Sequence, residues 1–188
     1  MKIFAYCGKL FEGATRAATG VIPMTCPPTD YKSFDISWLE GNDLIYFDLH
    51  GDPRGDHWYD LSLSDGIILP IKTIALRDYQ IRQADLSGTV VYATSCYLSD
   101  EDSPMLDALL YAGARYVIGG ESKNWAGAKM MMGATRLGYL FRRYLEKQQE
   151  PLRALALAKR KLKFEKLGSN LTLDDTLAFR AYQRVKNG

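Results

Sequence analysis

No stretch of this chain approaches the ~20 consecutive apolar residues of a transmembrane helix, so no membrane span is expected. Nor do the first residues read as a leader. Met1 to Cys7 holds one lysine and a short apolar run, with no signal-peptide core or small-residue cleavage site after it. Cysteine is scarce: Cys7, Cys26 and Cys96 are odd in number and scattered. They build no disulfide framework, and a reducing compartment, the cytoplasm, is the expected setting. Neither sign of charge dominates, with 24 Lys+Arg against 22 Asp+Glu, so no polyanionic partner is implied. Two histidines and three scattered cysteines show no metal-ligand spacing. Gly119-Gly120 follows an apolar run, but G-x-G-x-x-G is missing and no Lys-Ser/Thr pair follows as in a P-loop. Internal repeats, linkers and low-complexity segments are absent as well.

What the chain does have is material for a core. Its 188 residues are 47% hydrophobic and 12% aromatic, which suits one globular domain spanning 1–188. Lys2 to Cys7 (KIFAYC) reads as a first strand. Asp43 to Leu49 (DLIYFDL) and Thr89 to Thr94 (TVVYAT) are short apolar runs of the kind buried on both faces of a parallel sheet. Arg115 to Ile118 is another. Asp30 is expected to N-cap a short helix through Leu39, which Gly41-Asn42 ends. Trp58 to Pro70 alternates around Asp65-Gly66, a hairpin signal, and a short helix is expected around Ala75 to Gln83. Pro104 opens a helix through Ala112 that Gly113 ends. Lys123 to Gln149 reads as a long helix, and its Gly127, Gly133 and Gly138, each costing ~1 kcal/mol relative to Ala, point to close packing. Pro151 starts a helix that Gly168 ends, and Thr176 to Val185 reads as an edge strand. The alternation implies an α/β fold, a mainly parallel sheet of about six strands with helices on both faces.

Two strands end at once in reactive side chains: DLIYFDL runs into His50-Gly51, and TVVYAT into Ser95-Cys96. Ligands of open α/β sheets sit beyond the carboxyl ends of the strands. A cysteine and a histidine delivered there are a candidate nucleophile and base. Asp48, two residues before His50 and on the same strand face, is a candidate to orient the imidazole or touch substrate, with structural pairing as the alternative. His57, in a loop, is the minor candidate for the base. Arg153, Lys159, Arg160, Lys161, Lys163 and Lys166 read as the wet face of an amphipathic helix with Leu152, Leu155, Ala158 and Leu162 turned inward, rather than as a nucleic-acid site. Some of Met130, Met131 and Met132 are expected to pack in the core.

LIYFDLHG and VVYATSC resemble the His-Gly and Ser-Cys motifs of caspase-like (clan CD) cysteine peptidases. MLDALLYAGARYVIGG is similar to the CHAT-domain segment in which a helix ending Ala-Gly-Ala-Arg feeds a strand ending Val-Ile-Gly. Leu61 to Asp85 resembles the hairpin-bearing segment between the two catalytic motifs, and PLRALALAKRKL the later helix. The likeness runs from Ala5 to the C-terminus. It departs at Glu121-Ser122-Lys123-Asn124-Trp125, where such domains often have Ser-Leu-Trp. The resemblance implies a caspase-like three-layer sandwich and a cysteine endopeptidase, possessing Cys96 as nucleophile and His50 as acid/base. It implies oxyanion donors at the backbone of Gly51 and Cys96, and no cofactor. It also implies that Thr94, on the face of Cys96, and the loop after Gly120 line the pocket for the residue before the cut. Thr94 is neutral, and Glu121 and Lys123 speak for opposite preferences, unless both are ordinary solvated charges. The expected partner is a protein or peptide substrate, with activation by a further protein left open, and with no nucleic acid or membrane partner. The alternatives are a catalytically silent binding or scaffold module of the same fold and, third, a flavodoxin-like ligand-binding domain.

Overall fold

A computed structural model of the chain describes residues 1–64, 67–100, 102–124, 126–127, 130–165 and 176–183, without the side chains of 62–64 and 67–70. Asp65-Gly66, Glu101, Trp125, Lys166, Gly168 and the end of the expected last strand lie outside the described residues.

The apolar runs pair side by side. Strands β1 (Ile3–Gly8), β2 (Met24–Cys26), β3 (Leu44–Asp48), β7 (Val90–Ala93), β8 (Tyr116–Gly119) and β9 (Arg180–Tyr182) form one six-stranded sheet in the order β2-β1-β3-β7-β8-β9. All neighbours are parallel except β9, which runs antiparallel along the edge of β8. A second sheet is built from β4 (His50–Gly51), β5 (His57–Ser64) and β6 (Ile67–Arg77), paired antiparallel in that order. The expected hairpin is therefore present, and Ser64 pairs with Ile67 at its end.

Successive side chains of a strand point to opposite faces, so the central strands need apolar residues at nearly every position, and they have them up to Asp48 at the end of β3. Tyr6, Ile45, Phe47, Val91, Ala93 and Val117 enter one core, covered by α2 (Asp78–Ile81), α3 (Pro104–Tyr111) and the inner side of the hairpin at Trp58, Ala75 and Leu76. Ala5, Leu44, Tyr46, Val90, Tyr92 and Ile118 enter the other, covered by α1 (Glu12–Thr19), α4 (Gly133–Leu145) and α5 (Pro151–Glu165). The result is a three-layer α/β sandwich. Pro104 stands in the first turn of α3, as the sequence leads one to expect, and Ser103 caps the helix by accepting the Leu106 N–H.

Four elements differ from their sequence expectations. The helix expected over Ala75 to Gln83 is present but short: β6 stays paired with β5 as far as Arg77, and α2 keeps the four residues Asp78–Ile81. Asp30 caps a turn, accepting the N–H groups of Lys32 and Ser33, while Asp35 caps the short 3-10 helix Ile36–Leu39. The long helix begins at Gly133, whose φ of +49° stops a helix from continuing backwards through it. Its Gly138 does mark close packing: a Cβ there would lie 2.6 Å from the Tyr46 ring and 2.7 Å from that of Tyr92. On α5 the inward stripe is Pro151, Ala154, Leu155, Ala158 and Leu162, which leaves Leu152 exposed one position off it. Of the three methionines, Met131 packs on the core and Met130 and Met132 are exposed.

Candidate active site

Both candidate catalytic residues lie just past the carboxyl ends of adjacent parallel strands, β3 and β7. The ladder between these strands extends one step further, with the Thr94 N–H donating to the Phe47 carbonyl at 2.9 Å. After Asp48 the chain leaves the main sheet, and His50-Gly51 joins the hairpin against Tyr59 and Trp58. After Thr94 it turns through Ser95 to Cys96. The two turns meet at Gly51: a Cβ on that residue would stand 2.5 Å from the Cys96 carbonyl oxygen. Only glycine lets the backbones come this close.

Cys96 is partly buried under the segment that follows β8. Its Sγ accepts the Asn124 N–H at 3.2 Å and faces the Asn124 carbonyl at 3.7 Å. The Asn124 side chain donates to the carbonyls of Thr94 and Ser95 at 3.2 and 3.0 Å. The N–H groups of Tyr97 and Ser99 donate to Ser122 and Gly120. Burial pushes the thiol above its ordinary value of 9.0, against the pull of the Asn124 N–H, its own backbone and Lys123.

His50 lies between two rings, edge-on to Phe11 at 5.4 Å and stacked on Tyr59 at 5.5 Å. Its Nε2 is 3.8 Å from Oδ1 of Asp60, which is buried. Burial holds the imidazole below its ordinary 6.5, with Asp60 and Asp52 opposing and Lys72 adding to the shift. Among the described residues no hydrogen bond joins His50 to Cys96. Burial thus favours the neutral form of both the thiol and the imidazole.

The other expected site residues are placed as follows. Asp48 does not orient His50. The switch of sheets at Leu49 breaks the face relation between them, and Asp48 turns inward, 1% exposed, where it accepts from Thr15 (2.9 Å), Thr94 (2.5 Å) and Thr135 (3.5 Å). Thr94 is buried too and its hydroxyl is committed to Asp48, so neither side chain offers a group to the exterior. Glu121 is paired with Arg180 of β9 at 2.7 Å, which balances its charge. Lys123 lies close enough to Cys96 to favour the thiolate. His57 is bound to Asp56 at 2.6 Å. Among the described residues no group of three His, Cys, Asp or Glu side chains gathers to hold a metal. Two residues that sequence reasoning passed over, Asn124 and Asp60, contact Cys96 and His50 respectively.

No protein-family model and no curated protein sequence matches this chain. Its fold has solved counterparts. Two crystal structures of the Saccharomyces cerevisiae separase–securin complex, at 3.0 and 2.6 Å, align with 97% of the chain at TM-scores of 0.56 and 0.53. Sequence identity is 11% and 10%, and the chain spans 12% of the length of the protein it matches. The fold is the caspase-like α/β sandwich seen in separase. At this identity the likeness concerns the fold alone.

Proposed function

We propose that this chain is a cysteine endopeptidase of the caspase-like type, acting on a protein partner. Cys96 attacks the scissile carbonyl, and His50 takes the thiol proton and passes it to the leaving amine. The backbone N–H groups of Gly51 and Cys96 face the developing oxyanion. The observation that carries this reading is the contact of the two strand ends, where Gly51 lies against the Cys96 carbonyl with no room for a Cβ. That contact brings a thiol and an imidazole to the ligand-binding edge of one parallel sheet. Three unpaired cysteines suit a reducing compartment, and the cytoplasm is the setting proposed. Among the described residues no helix is long and apolar enough to cross a membrane.

One observation favours a second reading. The thiol is covered by Asn124 and is not hydrogen-bonded to His50, as a silent scaffold module of this fold would have it. Acyloxymethyl-ketone peptide probes, varied at the residue entering the primary pocket, separate the two. The peptidase reading expects an adduct on Cys96, located by peptide mass spectrometry, that is lost in Cys96→Ala and His50→Ala. Equal labelling in His50→Ala, or none on Cys96, removes that reading and leaves the scaffold.

A further inference from the structure

A buried carboxylate needs compensation, because taking its charge out of water costs several kcal/mol. Asp48 has three threonine hydroxyls. Asp60, 1% exposed, has the Lys9 N–H on Oδ2 at 2.8 Å and the steadying backbone of Leu61. Its other oxygen, Oδ1, is turned to Nε2 of His50. The approach is built into the backbone of β1. A Cβ on Gly8 would stand 2.3 Å from that same Oδ1, so the oxygen occupies the space a side chain would fill. The charged groups facing the ring are Asp60 from β5, Asp52 after β4 and Lys72 from β6; Phe11, on the remaining side, brings none. Asp52 is already held by the Tyr59 hydroxyl at 2.9 Å and by Lys72 at 2.6 Å. That leaves Asp60 as the carboxylate free to serve the imidazole.

We propose that Asp60 is the positioning residue for His50: its carboxylate holds the ring proton on Nε2 and leaves Nδ1 as the base for the Cys96 thiol. The proposal rests on the Cys96–His50 reading and adds a third group to it. In the acylation step the thiol proton moves to Nδ1 as the sulfur lone pair forms the S–C bond. The C–N bond then breaks and the same proton leaves on the amine. Between the two events the ring is a cation whose Nε2–H points at Asp60, so the carboxylate stabilises the charge where and when it forms.

The test is nitrogen-15 NMR of the histidines in the full chain, with His50→Gln to assign the signals. A neutral His50 ring protonated on Nε2 is expected. Asp60→Asn is expected to lower the His50 titration midpoint by about half a pH unit or more and to mix the two tautomers. Gly8→Ala, which displaces the carboxylate without removing it, is expected to act in the same direction, and it carries the test if Asp60→Asn does not fold. An unchanged midpoint and tautomer in a folded variant overturns the proposal. On a cleaved peptide, Asp60→Asn is expected to lower kcat by about 10–100-fold at unchanged KM. A ring that responds while no peptide is cleaved supports the role of Asp60 and removes the peptidase reading. Cleavage by a protein whose ring and kcat ignore Asp60→Asn does the reverse.

Discussion

Asp48 is ionised against the preference of its surroundings. Burial raises its pKa from 3.8 to about 6, although three hydroxyls hold it. A carboxyl whose folded value is raised stabilises the fold below pH 3.8 and loses that contribution as pH climbs through about 6. By pH 7 the loss amounts to roughly 3 kcal/mol. Asp48→Asn, which has the same shape and no charge, is therefore expected to gain stability relative to the natural chain between pH 4 and 7. Denaturant midpoints at the two pH values check it, and an unchanged difference contradicts it. The thiols give a second expectation. Cys7 and Cys26 are fully buried, and burial also raises both, Cys26 to about 11. Iodoacetamide on the native protein is expected to alkylate Cys96 alone, at a rate still climbing above pH 9 because its own thiol is raised. If the proposed dyad acts, peptide turnover needs the neutral imidazole and is expected to fall on the acid side with a midpoint below 6.5.

The helix α4 settles on Tyr46 and Tyr92 at a notch that only glycine provides. Gly138→Ala would improve helix propensity by ~1 kcal/mol on an exposed helix. Here the added methyl meets two stacked, buried rings, 5.2 Å apart, that have nowhere to go. A net loss of about 1–3 kcal/mol is expected, read as a lower thermal midpoint. At this scale the chain was unevenly legible. The apolar runs of β3 and β7 announced themselves because both faces are buried, and with them His50 and Cys96. Asp60 did not, because in the alternating segment of β5 a polar residue reads as the wet face of a hairpin. Its partner is the Lys9 N–H, 51 residues away, across a contact that local pattern does not encode. Asn124 was lost for another reason. Its segment has helical composition, and what ends the helix early is backbone geometry at Gly133, not the side chains before it. The helix expected from Ala75 lost its first turn to the pairing of β6 with β5, and only Asp78–Ile81 of it is helical.

Across the whole molecule the six-stranded sheet separates two cores. Leu109 of α3 lies in one and Leu137 of α4 in the other, each fully buried. Truncating either to alanine is expected to cost about 2–5 kcal/mol. They belong to separate cores, so the double variant is expected to lose the sum to within ~0.5 kcal/mol. Chemical denaturation of the two single variants and the double one measures it. A large departure from additivity would mean that the sheet transmits strain from one layer to the other. The same layering was legible beforehand, because alternation of strands and helices leaves few other ways to cover a parallel sheet.

The thiol follows a strand of the main sheet and the imidazole lies in the hairpin sheet, and the two sheets touch at a seam. Two glycines guard that seam, Gly51 against the Cys96 carbonyl and Gly8 against the Asp60 carboxylate. The clearance between the two sheets is thus set by two hydrogen atoms. A single methyl group at either point wedges the joint open, and a chain can keep every side chain named at this site while losing the alignment among them.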